Sequence, residues 1–346
     1  MELQFDREYL LHTMEAFINT PSPVSFCDEV NELLVEEAKK LGYGVDFDRK
    51  RTGYIKVPGK SHEKTVCVGA HLDTLGLIVK RIDDDGMIRV RNLGGINFNN
   101  IEGESVTIHT MSGKTYTGLV ACQYHSVHVF EEAKSSVRDE NTMMIILDED
   151  VHTKKEVKEL GIEHGDIISL EPHFTVTPNG FIKSRFIDDK ACVAAVFALL
   201  KEMKEQGLTP AYDTWFAFPH YEEIGHGGSY VPDCISEYVA LDIAVMGGDH
   251  CGSESKVSIC MKDNFSPYDR ELTRSLIEKA KAGGVDFVQD VFFHYGTDAN
   301  AAVRAGNNIK AAAFGMGTFS SHGMERTHID GVMETAKLLA LYVLEP

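Results

Sequence analysis

The chain has 346 residues, 43% hydrophobic and 25% charged, with a formal net charge of -19. That length and composition suit one large soluble domain or two moderate ones with an ample buried core. The acids are spread along the chain, and their excess excludes nucleic acid and anionic membrane surfaces as partners, because both need clustered Lys and Arg.

Residues 6–18 and 27–41 carry apolar positions at helical spacing, for example Val30, Leu33, Leu34, Ala38 and Leu41. KTVCVGAHLD, residues 64–73, reads as a short buried strand ending on His71 and Asp73. From residue 76 the texture changes to short strands separated by Gly turns. One hairpin closes on Asp-Asp-Gly and a second on Ser-Gly, which predicts a small β-barrel or sandwich inserted over 76–171. The flanking segments, 1–75 and 172–346, are expected to form one discontinuous α/β domain. In the second segment the pattern predicts an amphipathic helix over 190–207, strands over 213–219 and 238–245, and a helix over 270–284. A strand over 285–294, a helix opening at 297 with Asp298 in its first turn, a strand over 308–315 and a final amphipathic helix over 327–344 complete it. No stretch approaches the roughly 18 apolar residues of a membrane span. The seven cysteines are odd in number and lack CxxC spacing, so Cys67, Cys122, Cys192 and Cys260 are expected to be buried free thiols. With no basic-then-apolar leader at the start, the expected setting is cytoplasmic.

Five predicted strand ends carry His or carboxylate. They are AHLD (His71, Asp73), RFIDDK (Asp188, Asp189), HYEEIG (Glu222, Glu223), ALDIAV (Asp242) and SSHGMER (His322, Glu325). Each alone has an ordinary explanation, an N-cap for Asp188–Asp189 or a satisfied structural histidine for His71. Together they supply the hard oxygen and imidazole ligands of a two-metal site. Adjacent Glu222 and Glu223 after an apolar run also call for a neighbouring cation, since desolvated like charges repel. His220, His226 and His250 lie near these motifs and suit either support of the site or plain hydrogen bonding. GTDA (296–299) reads equally as pocket lining or as a turn and N-cap.

In order and spacing these motifs resemble the dimetal aminopeptidases of the glutamyl, or tetrahedral, aminopeptidase family. The resemblance runs over essentially the whole chain, including the β insert and YGTDANA (295–301). It implies a three-layer mixed-sheet catalytic domain, similar to other zinc exopeptidases, with a small β-barrel insert that forms oligomer contacts and part of the active-site wall. It further implies two divalent ions per subunit, Zn²⁺ foremost, with Co²⁺ and Mn²⁺ also suited to the donor set. One ion would be held by His71, Asp188 and Asp242, and Asp188 would bridge to a second held by Glu223 and His322. Glu222 would be the general base toward a metal-activated water, and Asp73 would orient the His71 imidazole through its second nitrogen. A cis peptide after the bridging aspartate, peptide substrates and a homo-oligomer, in relatives a hollow dodecamer, follow from the same resemblance. Thr74–Leu75, Lys190 and the His220–Tyr221 pair depart from the family pattern without removing a proposed ligand. The competing expectations are a deacylase or amidohydrolase on small N-acyl compounds and an inactive binding module. A glycosidase is disfavoured, because adjacent carboxylates cannot face each other across a sugar at roughly 5–9.5 Å.

Overall fold

The computed structural model describes residues 4–346. In chain order, helices α1 (Arg7–Asn19) and α2 (Asp28–Lys40) precede strands β1 (Asp46–Phe47), β2 (Gly53–Val57) and β3 (Ser61–Gly69). Next come β4 (Gly76–Ile82), β5 (Ile88–Leu93), β6 (Ser105–His109), β7 (Thr115–Cys122), β8 (Met143–Leu147), α3 (Lys154–Leu160) and β9 (Ile167–Leu170). The last part runs β10 (Thr175–Val176), β11 (Phe181–Ser184), α4 (Ile187–Gln206), β12 (Tyr212–Phe218), β13 (Ile235–Leu241) and β14 (Ala244–Val245). It ends with β15 (Val257–Lys262), α5 (Arg270–Ala282), β16 (Phe287–Val291), α6 (Asp298–Arg304), β17 (Lys310–Thr318), β18 (Glu325–His328) and α7 (Ile329–Leu344).

A mixed sheet in the order β1-β2-β12-β3-β13-β17-β15-β16 forms the centre of the molecule. Four neighbours, β12, β3, β13 and β17, run parallel, so their carboxyl ends share one edge. Alternation along these strands splits the core into two faces. Val66, Val68, Phe216, Phe218, Val239, Leu241 and Phe314 pack with α1, α4, α5 and α7. Cys67, Ala217, Tyr238, Ala240, Ala311 and Ala313 face the other way, toward Ala299 and Ala302 of α6. The helix expected to be amphipathic over 190–207 is instead buried on every side from Ile187 to Leu200. Its small residues, Ala191, Ala194, Ala195 and Ala198, let it lie in the middle of the helical layer.

Strands β4 to β9 close into an antiparallel barrel in the order β4-β5-β8-β7-β6-β9, with its own core that includes Leu77, Val90, Ile108, Val120, Ile145 and Ile168. Both expected hairpins are present, as β4–β5 and β6–β7. A buried ion pair joins the barrel to the chain that follows it: Arg185 donates to Glu104 at 2.8 Å and to the Asn100 carbonyl at 2.6 Å.

Two local expectations are corrected, on either side of one that holds. Strand β3 ends at Gly69, so His71 and Asp73 lie on an extension in which Ala70 and Leu72 still donate to the Ala217 and Pro219 carbonyls. Glu222 and Glu223 lie, as expected, just past the end of β12 at Phe218, on a single 3-10 turn. The strand expected over 238–245 breaks at Asp242, where Gly315 of β17 approaches so closely that a Cβ there would lie 2.0 Å from the Asp242 carbonyl. In each case the chain leaves the ladder at a candidate site residue, which frees its side chain to turn inward. Among the described residues no helix is long and apolar enough to cross a membrane, and all seven cysteines are free.

Candidate active site

At the carboxyl edge of the four parallel strands, loops converge as open α/β sheets require of a ligand site. His71 and Asp73 follow β3, Glu222 and Glu223 follow β12, Asp242 follows β13, and His322 follows β17. Asp188 and Asp189 enter from the start of α4, joined by a cis peptide bond. Three of these loops contain non-glycine residues in the left-handed region: Phe186 before the aspartates, Tyr221 before the glutamates, and His322 itself. Such conformations concentrate where surrounding structure over-determines the backbone.

The two oxygens of Asp188 face different imidazoles. Oδ1 lies 3.1 Å from His71 Nε2, and Oδ2 lies 3.9 Å from His322 Nε2. Glu223 Oε2 is 3.4 Å from His322 Nε2, and Glu222 Oε2 is 3.6 Å from His71 Nε2. Ligand-capable atoms of His71, Asp188 and Glu223 lie within 4.8 Å of one another, and so do those of His71, Asp189 and Asp242. All five residues expected to hold metal therefore meet at one place, with Asp242 seated beside Asp189 rather than grouped with Asp188.

Hydrogen bonds orient both imidazoles. His71 Nδ1 is 3.0 Å from the carbonyl of Asp73, and His322 Nδ1 is 3.0 Å from the carbonyl of Gly95 in the barrel. A neutral ring that donates through Nδ1 presents a lone pair at Nε2. Here each lone pair points at carboxylate oxygens, an arrangement that repels unless a proton or a cation lies between. With metal–ligand bonds near 2.0–2.2 Å, tetrahedral coordination separates neighbouring donors by about 3.4 Å. The observed separations of 3.1–3.9 Å bracket that value, so the donor set fits metal ions.

Charge balance points the same way. Burial, reinforced by neighbouring acids such as Asp242 and Asp188, holds the carboxyls of Glu222 and Glu223 well above the usual range. Burial together with Asp189 and Asp188 does the same to Asp242. Burial opposes protonation of His71, yet Glu222, Asp188 and Asp73 bring its affinity for a proton well above that of a free imidazole. Asp188 is likewise buried, but hydrogen bonding and charge from His71, with His322 behind, keep it ionised below the usual range.

Asp73 differs from expectation. Its carboxylate is 3.5 Å from His71 Nδ1, farther than its own main-chain oxygen, and it accepts the backbone N–H groups of Glu222 at 3.1 Å and Glu223 at 3.2 Å. Asp189 likewise accepts the His71 N–H at 3.1 Å. His220 is a structural residue, with Nε2 3.0 Å from the Asn31 side-chain oxygen, and His226 stacks on Tyr221. Asp298 is buried with its carboxyl pushed up to about 7, chiefly by that burial, and accepts the Gly228 N–H.

Beside the centre lies a cavity of about 720 Å³ reached by Asp188, Glu222, Glu223, Asp242 and His322. Its outer wall includes Phe265, Phe293, Tyr295, His250 and Arg304, with the Arg304 guanidinium 5.0 Å from the Phe265 ring. Gly296 and Thr297 line it too, so GTDA serves as pocket lining and helix start at once. Of this wall the sequence marks only His250 and the stretch from Tyr295; Phe265, Phe293 and Arg304 belong to no motif.

Fold and site together define an α/β enzyme with a carboxylate–imidazole centre at the carboxyl edge of its sheet. The sequence model of the M42 glutamyl aminopeptidases matches residues 52–338. YhfE of Bacillus subtilis (strain 168), which carries the name "Putative aminopeptidase", is 38% identical over 339 residues, 97% of each chain. The aminopeptidase APDkam598 of the archaeon Desulfurococcus kamchatkensis superimposes with a TM-score of 0.87 at 19% identity, covering 98% of this chain and 96% of that one. The TET1 peptidase of Pyrococcus horikoshii, described as assembling into a tetrahedron or a large octahedral shell, gives 0.84 at 23%, covering 97% and 100%. The chain belongs to the M42 glutamyl aminopeptidase family and is a peptide hydrolase.

Proposed function

We propose that the protein is a two-metal aminopeptidase that removes N-terminal residues from peptides. The observation that carries this reading is Asp188, whose two oxygens face different imidazoles, His71 and His322, so that one carboxylate could serve two ions. His71, Asp188 and Asp242 would hold one ion, and Asp188, Glu223 and His322 the other, Zn²⁺ being favoured and Co²⁺ and Mn²⁺ suited to the same donors. When bound, the ions supply Lewis acidity that lowers the pKa of a water and polarises the scissile carbonyl.

Glu222 is the general base. Its carboxylate lies beside His71 Nε2 but is not required as a ligand, and its backbone N–H is tied to Asp73. It takes a proton from the attacking water and returns it to the leaving amine. Asp73 holds the turn that carries both glutamates, while Phe265, Phe293 and Tyr295 offer apolar contact to a bound side chain. The barrel forms one side of the site through Gly95. The assemblies described for structural neighbours support a homo-oligomer, with the barrel contributing contacts. Free, mostly buried thiols are consistent with the cytoplasm.

The test is metal analysis with a substrate pair. Chelation is expected to abolish cleavage of free-amine aminoacyl substrates, and two equivalents of Zn²⁺ or Co²⁺ to restore it. Activity confined to N-acylated substrates would replace the aminopeptidase by a deacylase, and binding of fewer than two ions at saturation would remove the two-metal centre.

A further inference from the structure

The turn that presents His322 is held from two directions by residues with no assigned role. Ser320 and His322 both occupy the left-handed region, at φ 60° and 66°, so the turn does not persist on local preference. From the catalytic side, Glu325 Oε1 accepts the His322 N–H at 3.2 Å, and its Oε2 accepts the Asp188 N–H at 3.1 Å. Glu325 is 2% exposed, and it ties together the main chains of two residues that face each other across 3.9 Å. From the barrel side, the Gly95 carbonyl takes the His322 Nδ1–H, and a Cβ at Gly95 would lie 2.8 Å from that nitrogen. Gly94 lies beside Glu223 as well, where an added Cβ would lie 3.2 Å from the Glu223 carbonyl and 3.3 Å from its Cβ.

We propose that Glu325 and Gly95 are positioning residues that set the affinity of the second metal subsite, so that the inserted barrel helps decide whether that subsite fills. The proposal rests on His322 and Glu223 being ligands. A carboxylate can accept two backbone N–H groups at once, whereas the carboxamide of Gln has one oxygen and must turn an NH₂ group toward the other donor. Glu325→Gln therefore loosens the spacing of Asp188 and His322 while nearly conserving volume. Gly95→Ala acts from the opposite side. Gly95 is not in the left-handed region, so the added methyl meets the imidazole without a backbone penalty.

The experiment is calorimetric titration of the metal-free, full-length protein with Zn²⁺, with His322→Ala as the reference that marks the second subsite. Wild type is expected to take two ions. Gly95→Ala is expected to weaken the ion lost in His322→Ala by about 10–100-fold, the range for groups that orient metal ligands, leaving the other ion within about twofold. Glu325→Gln, which also holds the shared Asp188, is expected to weaken that ion at least about tenfold more than the other. Circular dichroism and thermal melts of the metal-free variants check folding. Should Glu325→Gln fail to fold, Gly95→Ala at the barrel rim decides alone. Two ions bound with wild-type affinity in the folded variants overturn the proposal, as does equal weakening of both. Fewer than two ions in the wild type would instead overturn the ligand assignment beneath it.

Discussion

Replacing Asp73 by Asn separates two roles that a carboxylate near a histidine can have. Asp73 is fully buried, and its two oxygens accept the N–H groups of Glu222 and Glu223 at 3.1 and 3.2 Å. Asn offers one oxygen, so one of those buried donors would face an NH₂ group. Leaving a buried donor unsatisfied costs about 1–3 kcal/mol, and a stability loss of about 2 kcal/mol is expected. The His71 ring should keep its orientation, because Nδ1 bonds the main-chain oxygen of residue 73. The damage then falls on the base. A displacement of roughly 1 Å at Glu222 lowers kcat/KM by about 100-fold. Urea unfolding of the metal-free protein and steady-state kinetics on an aminoacyl-nitroanilide measure the two effects. If Asp73→Asn unfolds at the wild-type midpoint and keeps its kcat/KM within threefold, Asp73 does not hold the glutamate turn.

Glu222→Gln is expected to retain both ions by elemental analysis yet lose about 10²–10⁴-fold in turnover, the usual contribution of a general base. Glu223→Ala should lose one ion, and near-normal turnover in Glu222→Gln would end its assignment. His220 is held neutral, its pKa lowered to about 4 mainly by burial. The unfolded chain, with a pKa near 6.5, binds the extra proton between those values. Stability is thus full above about pH 6.5 and falls by up to about 3 kcal/mol as pH drops toward 4; His220→Gln should flatten that slope in pH-dependent denaturation. Arg185→Met leaves the buried Glu104 carboxylate with only His173 and the Ser105 N–H as partners, and a loss of about 1–3 kcal/mol is expected in chemical denaturation; no change would mean that His173 alone satisfies the carboxylate. Arg304 is exposed at the cavity wall, so Arg304→Gln should lower kcat/KM for an N-terminal Glu relative to Gln by only about two- to fivefold. An unchanged Glu-to-Gln ratio would place the substrate side chain elsewhere.

Much of the architecture could be read locally, because periodicity reports which face of an element is buried. The helices over 6–18 and 270–284 and the hairpins β4–β5 and β6–β7 follow from spacing and turn residues alone. Strand β15, VSICMK, escaped notice because its short apolar run has no flanking motif and gains its meaning from pairing with β16 and β17. Helix α4 carries polar residues that suggest a solvent face, yet its Lys190 is fully buried with its amine 2.7 Å from the Thr20 carbonyl. Glu325 stood in a flagged motif without an assignment, since accepting backbone N–H groups leaves no trace in residue type.

The sequence by itself determined the donor inventory: imidazoles and carboxylates at five strand ends, in an order specific enough to identify a family. Tertiary structure alone decided which oxygen of Asp188 faces which imidazole, and that Asp73 serves the glutamates' main chain while its own carbonyl orients His71. It also brought a glycine of the inserted barrel against His322. The physical reason is that residue types are local chemistry, whereas distances of 3–4 Å between residues far apart in the chain arise only when strand register, loop strain and the packing of the barrel act together.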